Sequence, residues 1–173
     1  LVGVLDAATD QLWWLDRDGS VLGRHPVPSA SYRVGWAWGD RVFVLSGGAP
    51  RLSVLGVAAD GATRLLARLD RAAPLRDACY DEVHDLLWVA GPEDHAVRRQ
   101  PGPIEDLGSE TTALDGAAFR RGELRIRARF DLESRGGADP THLHAQGGVV
   151  VASLTGTDQL AWLTRRADAW ELQ

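Results

Sequence analysis

Ala138-Asp-Pro-Thr-His-Leu-His-Ala-Gln-Gly-Gly-Val-Val-Val-Ala-Ser-Leu-Thr-Gly-Thr-Asp-Gln-Leu-Ala-Trp-Leu-Thr-Arg-Arg-Ala-Asp-Ala-Trp-Glu-Leu172 reads as four short strands in succession. Thr141 to His144 is the first, Val149 to Leu154 the second, Gln159 to Thr164 the third and Ala169 to Leu172 the fourth. Short apolar or alternating runs bounded by turn residues mark strands rather than helices.

Working outward, the rest of the chain repeats this unit. The apolar runs Leu1-Val-Gly-Val4, Val42-Phe-Val-Leu45, Leu87-Trp-Val-Ala90 and Val149-Val-Val-Ala152 superpose as second strands. The first three are roughly 40 to 45 residues apart, the blade spacing of β-propellers. Tyr32, Val34, Trp36 and Trp38 alternate with small or polar residues, the period-two mark of a strand. Asp18-Gly19 and Asp60-Gly61 supply the positive φ that hairpin turns need. The expected fold is therefore all-β, a β-propeller segment of about four four-stranded antiparallel meanders. The blades are expected at 1–28, 31–70, 74–131 and 138–173. In the third, His95 to Arg99 is the expected third strand. Gln100 to Gly122, with Pro101-Gly-Pro103, reads as an insertion holding a short hydrophobic segment at Thr112 to Phe119. Glu123 to Phe130 alternates as a half-exposed outer strand, with Arg125, Arg127 and Arg129 on one face.

The first unit supplies second, third and fourth strands but no innermost one, and no spare strand remains to close a ring. The expectation is part of a larger propeller, or a half that assembles with a protein partner or with itself. Unclosed, it would expose blade faces of apolar side chains. The lack of any Met points the same way, to a processed or excised piece of something longer.

Ala138-Asp-Pro-Thr-His-Leu143, followed by Val149 to Leu163, resembles blades of the lactonase-like, surface-layer (YVTN)-type seven-bladed propellers, and Leu86-Leu-Trp-Val-Ala-Gly91 fits the same pattern. The resemblance is one of blade pattern over most of the chain. It implies the propeller fold and, as one alternative function, sugar-lactone hydrolysis at the channel mouth with His142, Arg76 and Asp77 as the polar groups. A second alternative is a propeller module of an exported redox or transport assembly, which makes a periplasmic or extracellular location the expectation. No haem-type Cys-x-x-Cys-His is present in the sequence.

Composition narrows the classes. The formal charge of −5 argues against nucleic acid, whose phosphates need a basic field. No apolar run approaches the roughly 20 residues of a helical membrane span. All 19 basic residues are Arg, which reads as codon bias. Cys79 is alone, which excludes an internal disulfide, and its apolar strand setting reads as a small buried hydrophobe.

Six residues are candidates for ligand contact: Trp36, Trp38, Arg76, Asp77, His142 and His144. His142 and His144 lie two apart on one strand and share a face. On an innermost strand, with Asp139 nearby, they could hold a metal, or simply bond backbone at the channel mouth. Asp77, Asp81, Glu82 and Asp85 crowd one turn without the spacing of a calcium loop. No Gly-x-Ser-x-Gly nucleophile setting and no phosphate-binding glycine loop occurs in the sequence, which assigns no cofactor. The leading expectation is a non-catalytic scaffold that binds a protein or small ligand.

Overall fold

The computed structural model describes residues 1–37, 39–71, 75–92, 112–120, 123–131, 140–154, 157–167 and 169–173. These form fifteen strands and no helix. Sheet 1 contains β1 (Val2–Asp6), β2 (Gln11–Leu15) and β3 (Val21–Pro26). Sheet 2 contains β4 (Ser31–Ala37), β5 (Arg41–Ser46), β6 (Arg51–Val57) and β7 (Thr63–Asp70). Sheet 3 contains β8 (Asp77–Asp81), β9 (Leu86–Pro92), β10 (Thr112–Arg120) and β11 (Glu123–Asp131). Sheet 4 contains β12 (Pro140–Gln146), β13 (Val149–Leu154), β14 (Gln159–Arg166) and β15 (Ala169–Leu172). Each is an antiparallel meander with its strands in chain order, the blade architecture of a propeller.

The hairpins form where the sequence places turn chemistry. Gly19 and Gly61 have φ of 84° and 83°, a region open to glycine at no steric cost. Asp6 accepts hydrogen bonds from the Ala8 and Thr9 amides and, at 2.6 Å, from the Thr9 hydroxyl. Asp81 turns the chain in the same way, accepting from the Val83 and His84 amides. These side-chain caps satisfy backbone donors that a tight turn leaves without a ladder partner.

Sheet 1 has three strands, and register identifies which position is empty. Leu5 pairs with Leu12 as Leu45 pairs with Leu52. The Val27 amide bonds Asp10 O at the β1–β2 turn, as the Arg71 amide bonds Pro50 O at the β5–β6 turn. β1, β2 and β3 thus match β5, β6 and β7, and the innermost position of sheet 1 is the one left unfilled among the described residues.

Sheet 3 differs from the sequence reading in one respect. Its third strand is β10, hydrogen-bonded to β9 on one side and β11 on the other. Thr112–Arg120 is therefore part of the blade and not of an insertion. His95 to Arg99, expected in that place, lies outside the described residues. Alternation in Thr112–Arg120 is weak because Ala113, Gly116, Ala117 and Ala118 carry little polarity contrast. The register shift after Gly116 breaks the period further.

Three cores lie between successive sheets. Leu12 and Trp14 of sheet 1 pack with Val42, Val44, Leu55 and Val57 of sheet 2. Phe43, Leu45, Leu52 and Val54 on the other face of sheet 2 pack with Ala78, Leu87 and Val89 of sheet 3. Trp88 and Ala90 of sheet 3 pack with Leu143, Val150, Ala152 and Leu163 of sheet 4. The middle strands of an inner sheet are apolar on both faces, so β5 and β6 are buried almost throughout. Each such Leu or Val stabilises the stack by about 1.5–3 kcal/mol relative to exposure.

Candidate functional site

The inner strands β4, β8 and β12 place the candidate residues. Register aligns Arg33, Asp77 and His142, which pair respectively with Leu45, Ala90 and Ser153 at equivalent places on the second strands. Arg33 Nε lies 2.9 Å from Asp77 Oδ1, joining sheet 2 to sheet 3. Asp77 Oδ2 accepts the Leu143 amide at 2.9 Å, joining sheet 3 to sheet 4. Oδ1 also accepts the Ala78 amide at 2.8 Å. Asp77 is buried, so these donors supply the compensation that a desolvated carboxylate requires. The next bond of this type would start from His142, which points to the uncovered face of sheet 4.

Around β8 the acidic turn closes on itself. Asp81 Oδ2 lies 2.7 Å from His84 Nδ1. The His84 ring meets Trp170 edge-on, with centroids 4.7 Å apart, and Trp170 meets Trp88 at 4.8 Å. Tyr80 donates its hydroxyl to Asp85 Oδ1 at 3.1 Å. Burial, followed by that bond and the carboxylates around it, pushes the Tyr80 phenol up to about 12. Burial also pushes the Cys79 thiol up to about 12, reinforced by Asp77 and Asp81. A thiol so shifted is protonated at neutral pH and is a poor nucleophile.

Trp36 is half-exposed and faces sheet 1, its ring centroid 5.9 Å from that of Trp14. Trp14 is anchored by its indole N–H to Thr63 Oγ1 at 2.7 Å. Trp38 lies outside the described residues. The Arg76 side chain is exposed, and its amide bonds Ala90 O. His142 and His144 are exposed on one face of β12, whereas Leu143 between them is buried. His142 Nδ1 lies 3.3 Å from Thr141 Oγ1, and its amide bonds Ser153 Oγ.

The structure therefore links Asp77 to β12 but turns the histidines to the opposite face of that strand. Trp36 stands at the sheet 1 side of the molecule, apart from both. Among the described residues, no three His, Cys, Asp or Glu side chains converge as a metal-binding group. One cleft of about 370 Å³ is lined by Asp40, Arg41, Gly56, Thr63 and Leu66, and another of about 210 Å³ by His25, Pro28, Arg51 and Leu65. Neither includes a sequence candidate.

Sequence reasoning missed Arg33 and the His84–Trp170–Trp88 contact. The repeat alignment carried a signal for the first, since Arg33 and Asp77 occupy equivalent positions with opposite charge. Nothing in the spacing of His84, Trp88 and Trp170 announces that they meet.

No protein-family model matches the sequence, and no curated protein matches it. Solved structures do. A functionally unknown protein from Desulfotomaculum acetoxidans superposes with TM-score 0.64 at 8% identity, over 98% of this chain and 48% of its own. A protein from Lactobacillus plantarum superposes with TM-score 0.69 at 14% identity, over 99% of this chain and 50% of its own. At such identities the likeness is one of fold alone. The chain spans about half the length of both structures.

Proposed function

We propose that the chain is a segment of a larger propeller and works as a non-catalytic binding scaffold that engages a protein partner through its outermost blade faces. The observation that carries this reading is the large apolar side chains left exposed at the two ends of the sheet stack: Val2 and Val4 on sheet 1, Leu160 and Trp162 on sheet 4. Exposed apolar surface grouped on one face is the signature of an interaction site. His142 and His144 lie beside the sheet 4 face, and Trp36, half-exposed against Trp14 on the inner side of sheet 1, is the third side chain available to a ligand.

The lactonase-like alternative rests on the pattern of the Pro140-Thr-His142 strand and its neighbours. Against it, Asp77, the acid that reading would use, already accepts from three donors, two of them on neighbouring blades. Assay of sugar lactones, with and without added divalent cation, separates the two. The scaffold reading expects no turnover above the buffer rate. Turnover that disappears in His142→Ala would replace it with an enzyme.

A further inference from the structure

We propose that the cleft of about 210 Å³ at the outer rim of the junction between sheets 1 and 2 binds a small carboxylic acid with a short apolar tail.

Register shows how the cleft is built. His25 pairs with Leu12, and Ser53 pairs with Val44. Leu12 and Val44 belong to the core between the two sheets, so His25 on β3 and Ser53 on β6 face each other's sheet. Arg51 and Leu55, on either side of Ser53 along β6, share its face. Ser53 is the smallest side chain on that face, and Val44, Leu55, Leu65 and Pro28 wall the space beside it. In sheet 4 the equivalent position is Ala161, which pairs with Ala152 as Ser53 pairs with Val44 and lies in an apolar core. Sheet 2 thus carries a hydroxyl where sheet 4 carries a methyl. The walls are internal to the stack and owe nothing to the open faces of sheets 1 and 4.

Three polar groups line this apolar space. Ser53 is only 4% exposed, and its hydroxyl has no partner among the described residues. The half-buried His25 ring has none there either. Burial holds that imidazole below its usual range, so at neutral pH it is uncharged and offers one N–H donor. Arg51 Nε is buried and makes no hydrogen bond among the described residues, although it lies 3.4 Å from Asp70 Oδ1. Asp70 is shared with Arg68, whose Nε stands 3.2 Å from the other carboxylate oxygen. Its side chain is exposed, so solvent screens its hold on both. Two guanidinium groups around one carboxylate leave a place for a second anion.

A carboxylate fits that place, because it accepts from Arg51, Ser53 and His25 together, and bonds to a guanidinium are charge-assisted. A cation would meet the arginine charge. A phosphate, charged on every side, would be pressed against Leu55 and Val44. The apolar walls instead suit a hydrocarbon tail. Pockets for drug-sized ligands measure roughly 300–1,000 Å³, so this smaller cleft takes a tail of only a few carbons.

The test is calorimetric titration of the 173-residue chain with isovalerate, with the His25 ring signal followed by NMR. Saturable binding with a dissociation constant of about 1 mM or tighter is expected, together with a shift of the His25 signal. Isovaleramide has the same tail without the charge and should bind at least about tenfold more weakly. Ser53→Ala places in sheet 2 the side chain that sheet 4 already buries. It should leave the melting temperature unchanged and weaken isovalerate by about three- to tenfold. Arg51→Gln should weaken it by at least about tenfold. Absence of saturation overturns the proposal, as does equal binding of isovaleramide. Binding that Ser53→Ala and Arg51→Gln both leave unchanged overturns it too, because the acid then sits elsewhere. If Arg51→Gln lowers the melting temperature, Ser53→Ala and the His25 signal decide alone.

Discussion

Replacing Asp77 by Ala removes the acceptor of the Leu143 amide and the counter-charge of Arg33 in one step. A buried donor left without its charged acceptor costs about 1.5–3 kcal/mol, so urea unfolding of Asp77→Ala should shift by that amount. Arg33→Ala should cost less. Its side chain is half in solvent, where an ion pair is screened, and Asp77 would keep two backbone donors. A ligand-binding role for Asp77 without a structural one would leave stability untouched. At Cys79 the folded state holds the proton, since burial raises the thiol from 9.0 to about 12. Its contribution to stability is therefore complete below pH 9 and is lost as pH rises toward 12. Tyr80, raised from 10.0 to about 12, acts in the same sense over a narrower range. Urea midpoints should fall between pH 9 and 11, and Cys79→Ala should flatten part of that fall. A thiol reagent at pH 8 should modify Cys79 only after denaturant is added.

Among the elements, β3 approaches the β6–β7 turn backbone to backbone, joining sheets 1 and 2. A Cβ on Gly23 would stand 2.7 Å from the Gly61 carbonyl oxygen, a backbone atom that cannot swing aside. Gly23→Ala should destabilise by about 1–3 kcal/mol, the range for overpacking, and calorimetry would read it as a lowered melting temperature. The same strands show what the sequence could convey. Val42-Phe-Val-Leu45 and Val149-Val-Val-Ala152 announce their blades because a strand between two sheets is apolar on both faces, and Asp-Gly pairs mark hairpins by backbone sterics alone. The missing inner strand of sheet 1 was legible as a gap in a count. β10 was not, because runs of Ala and Gly carry no contrast between faces. The candidate site was legible only as residue types on the inner strands. His142 and His144 sit on β12 as expected, but which way a strand's two faces look depends on the neighbouring sheet, and no single strand encodes that. Asp77 was singled out as a polar group that the lactonase-like resemblance implies and as one of four carboxylates around a turn. Its counter-ion is 44 residues away along the chain and was found only when β4 and β8 were placed side by side.

For the molecule as a whole, sheets 1 to 4 form a stack in which each blade depends on its neighbours. The Arg33–Asp77–Leu143 chain of bonds reaches across sheets 2, 3 and 4. Sheet 1 stands outside it and is held by the Trp14 core, the Trp14–Thr63 bond and the Gly23 contact. Among the described residues β1 pairs with β2 along one edge only. Every second backbone N–H along that strand therefore points away from the ladder, toward the position that an inner strand fills in the other sheets. Hydrogen–deuterium exchange should show it as alternating fast and slow amides over Val2–Asp6, while β5, paired on both edges, stays protected throughout. Sheet 1, three-stranded among the described residues and outside the Arg33–Asp77–Leu143 bonds, is the natural starting point of unfolding. Thermal opening should begin there and travel toward sheet 4, and a proteolytic cut at the β1–β2 turn should precede loss of the remaining blades.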